Sequence, residues 1–406
     1  MKILVLGAGI AGCSIVHQLM AGNQGLEVLL IEQRTGPAQE TSGHRLAMAH
    51  PQIAMKKTKL QQFTQLGNRL AFQEWAYAQK QEGVFQPMTD MEWRSEAYIL
   101  EQLDKIGITP REAISFDYHE AESLTGIHRP GIWFKEGAVY DLPAICKRAL
   151  SQLPTEHCLW DQKVGAILQS KGQWQVLNAR REVITQAPIL ILANGLGVQS
   201  LLGSIGISLP MRAVRGQLSR FLIQKDSNIA PKLPRTALRG NGYCLPGRLL
   251  NTGQFTWEIG SSYDEDSRDT GYWQSSDEGN RLKGLDLIGV DLAHQAELSS
   301  YESFVGVRSA SKDRLPLIGP IPNEDGLFIA TGYGSRGVIW SALGSRLIFA
   351  YVAAFLADEV RLRTGFLAGA SPELESELAS SVSPARFLAG ALATRTSNSK
   401  PILPVS

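Results

Sequence analysis

The sequence predicts a mixed α/β protein in which a parallel-sheet domain is assembled from separated segments and an antiparallel-sheet domain is inserted into it. Three observations lead to this prediction. The chain opens with a strand, a glycine-rich turn and a helix ("KILVLGAGIAG"). Short β runs alternate with Gly, Asn and Asp turns between residues 211 and 303. After residue 306 the chain returns to a strand, a second glycine turn and a long apolar helix.

The composition is that of a large globular protein. The chain has 406 residues, 44% of them hydrophobic, which favours two domains or one large α/β domain with an insertion. A net charge of +1 is not expected of a protein that binds nucleic acid over its whole surface. A local basic patch is still compatible with this net charge. The four cysteines have no metal-ligand spacing and fit a reducing compartment; they are Cys13, Cys146, Cys158 and Cys244.

Two apolar runs have some features of membrane or targeting segments. The N-terminal run loosely imitates a signal peptide, but glycines at 7, 9 and 12 interrupt it. The run from Leu347 is too short to span a bilayer and follows Arg346. We therefore expect no transmembrane segment and a cytoplasmic protein.

The elements follow from hydrophobic periodicity and turn residues. The predicted helices cover residues 12–21, 57–81, 142–153, 277–287 and 338–358. The predicted strands before the inserted sheet cover residues 2–6, 26–32, 163–170, 173–179 and 187–195, the last of which reads as parallel-sheet core.

The first glycine turn has the spacing of a dinucleotide-binding loop. Gly7 permits a tight turn, Gly9 permits close approach of a pyrophosphate, and Gly12 permits packing of the helix on the strand. Glu32, at the end of the second predicted strand, is placed to accept hydrogen bonds from a ribose hydroxyl. The alternative is an ordinary glycine turn, and the motif alone does not separate FAD from NAD.

A second glycine turn, "GYGSRG" at residues 332–337, lies between a strand and the long apolar helix. Its backbone N–H groups are suited to an anion or to the edge of a flavin ring. A capped helix start without a ligand explains the pattern equally well.

Residues 306–320, "GVRSASKDRLPLIGP", place a charge where a buried strand and a tight turn are expected. A buried arginine needs a partner, because an unpaired charge is costly away from water. For Arg308 the alternatives are a ligand carboxylate or an internal ion pair, for example with Asp313. We expect Lys312, Asp313 and Arg314 to shape the turn and tie the two domains.

Taken together, "GAGIAG…E", "TSG", "ILANG" and "GYGSRG" resemble the D-amino-acid-oxidase-type FAD oxidoreductases. "LPMRAVRGQLS", "GNGYCLPG", the 306–320 segment and "SPARF" resemble one branch more narrowly: the FAD-dependent half of the bifunctional tRNA 5-methylaminomethyl-2-thiouridine biosynthesis proteins. The resemblance implies a Rossmann-like FAD-binding domain at 1–75, 145–210 and 305–390. It also implies an inserted substrate domain at 76–144 and 211–304, with a tail at 391–406.

The resemblance also implies the residues that bind FAD. They are Gly7, Ala8, Gly9, Ile10, Ala11, Gly12, Glu32, Gln33, Ser42, Gly43, Val164, Ala193, Asn194, Gly195, Gly332, Gly334, Ser335, Arg336 and Gly337. No metal site is expected.

The implied reaction removes the carboxymethyl group from 5-carboxymethylaminomethyluridine at the tRNA wobble position. Oxidation of the CH2–NH bond by FAD gives an imine, and water releases glyoxylate and 5-aminomethyluridine. Arg308 matches the branch's arginine for the substrate carboxylate. Tyr243 is a candidate for orienting the amine, and Arg215 for the substrate or the domain junction.

The sequence departs from the branch at two places. His44 and Arg45 stand where Asn-Pro is usual, and Ser309 stands where a cysteine is common. No methyltransferase half fits in the chain, so methylation is expected to need a separate protein.

Basic residues that are candidates for tRNA phosphates are Arg34, Arg45, Lys56, Lys57 and Lys59, although the lysines also fit a solvated helix start. Two other functions stay open. One is a small-molecule amine oxidase for glycine, sarcosine or D-amino acids. The other is a non-catalytic flavin-bound tRNA-binding partner of a methyltransferase.

Overall fold

The computed structural model describes residues 1–22, 25–54, 56–359 and 362–388. These divide into two compact units. Unit 1 contains Met1–Arg45, Leu142–Ala213 and the described residues from Arg308 onward; unit 2 contains Leu46–Asp141 and Val214–Val307. The predicted tail at 391–406 lies outside the described residues.

The elements are numbered along the whole chain. The helices are α1 Ile10–Gly22, α2 Lys59–Glu74, α3 Glu96–Lys105, α4 Tyr118–Thr125, α5 Leu142–Ala149, α6 Val198–Gly203, α7 Gln274–Ile288, α8 Gly337–Leu356, α9 Pro372–Val382 and α10 Ala385–Leu388. The strands are β1 Lys2–Leu6, β2 Glu27–Ile31, β3 Ala47–Ala49, β4 Gln79–Pro87, β5 Ala113–Phe116, β6 Gly131–Tyr140, β7 Cys158–Leu159, β8 Ala166–Ser170, β9 Gln173–Leu177, β10 Val183–Ala187, β11 Ile189–Leu192, β12 Met211–Ile223, β13 Ala237–Gly240, β14 Gly242–Cys244, β15 Arg248–Leu249, β16 Phe255–Gly260, β17 Asp264–Glu265, β18 Ser299–Ser311, β19 Leu317–Pro320 and β20 Leu327–Thr331.

Unit 1 is built on a six-stranded sheet in the order β19-β20-β11-β1-β2-β7. All neighbours are parallel except β19 and β20. The central strands are continuous apolar runs because both faces of the sheet are covered, and β11 is buried along its whole length. Strands β8, β9 and β10 form a separate antiparallel meander. The predicted mixed α/β architecture is confirmed.

Helices α1 and α8 pack closely against each other in unit 1. A Cβ on Gly22 would lie 2.4 Å from the ring of Phe349, so this glycine lets the two helices approach. Helix α8 has the length and composition of a membrane-crossing helix, but 72% of its most apolar window is buried inside the protein. A buried core helix has the same composition, which matches the packing of α8 on α1.

Unit 2 is built on a large, mainly antiparallel sheet. Its longest path runs β17-β12-β16-β14-β13-β4-β6-β3, with β13 and β4 parallel. Helix α7 covers one part of it, and a Cβ on Gly284 would lie 2.3 Å from Ile259 Cδ1. The antiparallel sheet predicted between residues 211 and 303 is therefore present, and β3 to β6 from the earlier segment extend it.

The helix predicted over residues 57–81 ends earlier than its pattern suggested. Helix α2 stops at Glu74, and β4 begins at Gln79, which pairs with Tyr140 on β6. This pairing partner lies about sixty residues further along the chain, where local periodicity gives no signal. Residues 46–75, which the sequence analysis grouped with the first domain, accordingly lie in unit 2.

Candidate functional site

Three strands of unit 1 end at the same edge of the parallel sheet. Leu6 on β1 is aligned with Leu192 on β11, and Leu192 with Ile329 on β20. The residues that follow these ends are the first glycine turn, residues 193–195 and the second glycine turn. The topology thus brings together the segments that the sequence analysis selected separately. Ligands of open α/β sheets bind at this carboxyl edge.

The first turn is tight and depends on two glycines. Gly7 has a φ of +100°, and a Cβ there would lie 2.8 Å from the Ala193 carbonyl oxygen. A Cβ on Gly12 would lie only 1.9 Å from the Gly7 carbonyl oxygen. At both glycines the space that a Cβ would need is occupied by backbone atoms, which are harder to displace than the end of a flexible side chain. The glycines are therefore required to seat α1 against the end of β1.

Ser42 lies at the beginning of α1. It belongs to a 3₁₀ turn at Thr41–Gly43, and its Oγ accepts a hydrogen bond from the Ile10 N–H at 3.0 Å. A Cβ on Gly9 would lie 3.2 Å from the same oxygen. The predicted cofactor residues Ser42 and Gly43 are thus placed beside the glycine loop.

Glu32 follows the end of β2. Its two carboxylate oxygens accept backbone N–H bonds, from Ala8 at 2.7 Å and from Arg34 at 2.9 Å. A carboxylate has about four acceptor sites, so two of them remain for ligand hydroxyls. These two bonds fix the acid against the glycine loop.

The other predicted residues near Glu32 lie along the same edge. The exposed Gln33 donates from its side chain to Glu40 at 2.9 Å. The Gln162 N–H donates to the Glu32 carbonyl at 2.9 Å, which brings the segment leading to Val164 alongside β2. Val164 itself is half-buried against the apolar core of unit 1.

The other two turns leave room at the sheet edge. Gly195 and Gly334 have φ values of +58° and +55°. Apart from the glycine and its two chain neighbours, no heavy atom of the described residues lies within 4 Å of a Cβ built on either. The Oδ1 of Asn194 is buried and has no hydrogen-bond partner among the described residues. An acceptor without a partner next to open space is suited to a polar ligand, since such groups are normally satisfied.

Helices α1 and α8 begin side by side at this edge. A Cβ on Gly337, the first residue of α8, would lie 3.6 Å from Ile10 Cγ2 at the start of α1. Two positive helix ends therefore meet where the three turns converge. This arrangement favours an anionic ligand that spans more than one turn.

One family model matches all the sequence segments that form this edge of the sheet. The model for FAD-dependent oxidoreductases of the DAO type matches residues 2–351. The chain belongs to this family. It is accordingly an enzyme, an FAD-dependent oxidoreductase of the DAO family, as predicted from the sequence. The two acceptor sites on Glu32, the orphan Asn194 Oδ1 and the open glycine turns fit FAD as the ligand.

Two curated relatives are tRNA 5-methylaminomethyl-2-thiouridine biosynthesis bifunctional proteins MnmC. The protein of Cupriavidus necator is 31% identical over 424 residues, and that of Ralstonia nicotianae is 30% identical over 426. Each alignment covers 96% of this chain. The chain spans about 60% of the length of these relatives.

Solved structures of other DAO-type enzymes share the fold. Iminodiacetate oxidase from Chelativorans sp. BNC1 has a TM-score of 0.68 at 17% identity and covers 88% of this chain and 95% of its own. Glycine oxidase from Geobacillus kaustophilus has a TM-score of 0.67 at 16% identity, with coverage of 91% and 99%. At these identities the similarity concerns the fold alone.

Arg308 opens the third segment of unit 1, on β18. The carbonyl of the next residue, Ser309, accepts the Gly334 N–H at 2.9 Å, and Ala310 forms a bridge with Tyr333. The strand that carries Arg308 therefore lies directly beside the second glycine turn. Burial raises the pKa of Tyr333 far above its usual value, so this phenol stays neutral.

The alternative partner for Arg308 proposed from the sequence, Asp313, is engaged elsewhere. Its carboxylate forms a two-pronged ion pair with Arg386, at 2.8 and 3.0 Å, and accepts hydrogen bonds from Ser311 and the Leu315 N–H. Asp313 thus shapes the turn as expected. The expectation that it ties two domains is corrected, because Arg386 belongs to the same unit.

We expect Arg386→Ala to lower the free energy of unfolding by about 1–2 kcal/mol, since solvent screens a carboxylate that is 36% exposed. Burial alone would raise the pKa of Asp313, but the bonds from Arg386 and Ser311 outweigh it and lower that pKa. The stabilisation is therefore complete above the usual aspartate pKa of about 3.9 and is lost as the pH falls through the lowered value. Urea unfolding at several pH values measures it. Arg363→Ala, which removes an exposed pair with Glu359, is the control and should change stability little.

The other two candidate side chains lie in unit 2. Tyr243 is half-buried on β14, opposite Arg239 and Gly260. Arg215 is fully buried and bonds to Asp264, Ser276, Gln217 and the Gly271 carbonyl, with Trp273 stacked 4.0 Å away. These four partners all lie in unit 2 and give Arg215 an internal role there, so we do not carry it into the proposed site.

Proposed function

We propose that this enzyme removes the carboxymethyl group from 5-carboxymethylaminomethyl(-2-thio)uridine at the wobble position of tRNA. The secondary amine R–NH–CH2–COO⁻ and water give R–NH2 and glyoxylate, with loss of two electrons and two protons. FAD, when bound, supplies the acceptor for the two electrons. The product in the tRNA is 5-aminomethyluridine.

The placement of Arg308 carries the proposal. Its strand is hydrogen-bonded to the glycine turn that begins α8, at the edge where the FAD-binding segments converge. A guanidinium pairs with both oxygens of a carboxylate, which suits an N-substituted glycine. The two MnmC relatives, which align with 96% of this chain, support a tRNA-borne substrate.

The other residues have supporting roles in this proposal. The loop at residues 7–12 and the start of α1 would hold the pyrophosphate of FAD, and Glu32 would accept a hydrogen bond from a ribose hydroxyl. Asn194 and the turn at residues 332–337 would contact the flavin. Tyr243 orients the substrate amine in its neutral form.

We further propose that exposed basic residues bind the tRNA backbone. Lys56, Lys57 and Lys59 are exposed at the beginning of α2, and Arg45 is exposed at the end of the first segment of unit 1. Arg34 is paired with Glu40, so it is a weaker candidate. A cytoplasmic location and a separate methyltransferase as partner belong to the same proposal.

Anaerobic reduction of the bound flavin tests the substrate. We expect tRNA bearing the carboxymethylaminomethyl group to bleach the visible absorbance of the holoenzyme, and tRNA lacking it to have no effect. Glycine and sarcosine are the comparison substrates for a small-molecule amine oxidase. Bleaching by the free amino acids alone would overturn the proposal. Raising the salt concentration should increase KM for tRNA steeply if phosphate contacts contribute, while leaving a reaction with glycine little changed.

A further inference from the structure

We infer that Ser309 and Thr331 are positioning residues. A chain of hydrogen bonds through their two hydroxyls sets the distance between the strand that carries Arg308 and the two turns that face the cofactor. The sequence motifs did not single out either hydroxyl as functional. The inference deepens the proposed function and rests on it for the role of Arg308.

The hydroxyl chain has four members with defined distances. The Gly332 N–H donates to Ser309 Oγ at 3.2 Å, and the two hydroxyl oxygens of Ser309 and Thr331 lie 3.4 Å apart. Thr331 Oγ1 donates to the Gly195 carbonyl at 2.9 Å.

A hydroxyl has one proton, which fixes the direction of the chain. The Thr331 proton is used on Gly195, so the Ser309 hydroxyl must donate to Thr331. The bonds then run without a break from Gly332 through Ser309 and Thr331 to Gly195. Three segments that are distant in sequence are joined by them.

Backbone bonds, such as that from the Gly334 N–H to the Ser309 carbonyl, also hold the second glycine turn against β18, and the hydroxyl bonds add to them. Gly195, Gly332 and Gly334 all have positive φ values, a region that glycine enters and leaves readily. Thr331 is only 2% exposed, so water does not compete for its bond to Gly195. The hydroxyl bonds therefore stabilise one backbone conformation of turns whose glycines could adopt several.

The consequence for Arg308 is direct, because it is the residue before Ser309. If Ser309 loses its hydroxyl, its carbonyl still accepts the Gly334 N–H, but the bond to the Gly332 N–H is lost, and we expect the guanidinium to shift relative to residues 332–334. A shift of about 1 Å is enough to reduce turnover about 100-fold when reacting groups must be aligned. The glycine loop at residues 7–12 uses different bonds, from Ala8 to Glu32 and from Ile10 to Ser42, so FAD binding there is preserved.

The test compares Ser309→Ala and Thr331→Val with Ser309→Thr and Thr331→Ser, which keep a hydroxyl. We expect the first two holoenzymes to retain stoichiometric FAD but to lose about 10–100-fold in kcat/KM on the modified tRNA. The hydroxyl-retaining variants should recover most of this loss. The double variant should be little worse than either single one, because one chain is broken in each case.

A readout that needs no substrate separates this inference from the proposed function. The visible circular dichroism of bound flavin should change in Ser309→Ala and Thr331→Val and return in the hydroxyl-retaining variants. Ser341→Ala is the matched control, since it removes a buried hydroxyl of α8 that donates to the Val338 carbonyl of the same helix at 2.8 Å.

An unchanged dichroism spectrum in both hydroxyl-deleted variants would overturn the inference, as would an equal change in Ser341→Ala. If wild-type enzyme shows no turnover of the modified tRNA, the proposed function fails. The dichroism comparison then still decides whether the hydroxyls position the turns around the cofactor.

Discussion

Arg308→Ala is expected to yield a yellow enzyme that binds FAD and has lost its turnover. Truncation removes the guanidinium that we propose pairs with the substrate carboxylate, but none of the contacts of the glycine loop at residues 7–12. Losing a charge-assisted pair costs about 2–5 kcal/mol, which corresponds to roughly a thirty-fold to several-thousand-fold decrease in kcat/KM. Steady-state kinetics on tRNA bearing the carboxymethylaminomethyl group, together with the flavin-to-protein absorbance ratio, measure both parts of the prediction.

Two further variants sharpen the assignment of Arg308. Arg308→Lys keeps the charge without the planar fork, so it should recover only part of the activity. Lys312→Ala removes an exposed cation just beyond the end of β18 and should leave kinetics unchanged. Full activity of Arg308→Ala on modified tRNA would remove this residue from the site.

Gly12→Ala is expected to abolish FAD binding. The added Cβ would lie 1.9 Å from the Gly7 carbonyl oxygen, and the obstructing atom is backbone in the tightest part of the loop. Relief of this clash must move α1 away from β1 or open the turn, and either change disrupts the pyrophosphate cradle. We expect a colourless protein with a lowered midpoint of thermal unfolding, measured by absorbance and by melting with and without added FAD.

Gly203→Ala is the matched control for the loop. Gly203 ends α6 in the same unit. Apart from its chain neighbours and the backbone of α6 itself, no described heavy atom lies within 4 Å of a Cβ built there. This variant should bind FAD like the wild type. If Gly12→Ala binds FAD with wild-type stoichiometry and affinity, the loop at residues 7–12 is not the cradle.

The parts of the site that could be predicted from the sequence are those whose geometry depends on residues close together in the chain. The loop at residues 7–12 could be predicted because strand, turn and helix follow each other within a few residues. The second glycine turn was also recognised, but its proximity to α1 depends on the parallel pairing of β1 with β11 and of β11 with β20.

What escaped prediction depends on distant partners. The burial of Arg215 results from Asp264, Ser276 and Gly271, which lie 49 to 61 residues away. Asp313 finds Arg386 across 73 residues. Polar pairs of this kind leave no periodic signal. The sequence therefore pointed to the substrate or the domain junction for Arg215, and it left Asp313 as an alternative partner for Arg308.

The strand order of unit 1 has a consequence for synthesis on the ribosome. Strand β1 is made before either unit 2 segment, yet its neighbour β11 is made only after the whole of the first segment, and β20 follows after the second. Until β20 emerges, the wholly apolar β11 has an open hydrogen-bonding edge. We therefore expect nascent chains that end before residue 327 to aggregate or to need a chaperone, whereas the emergence of β20 closes this edge.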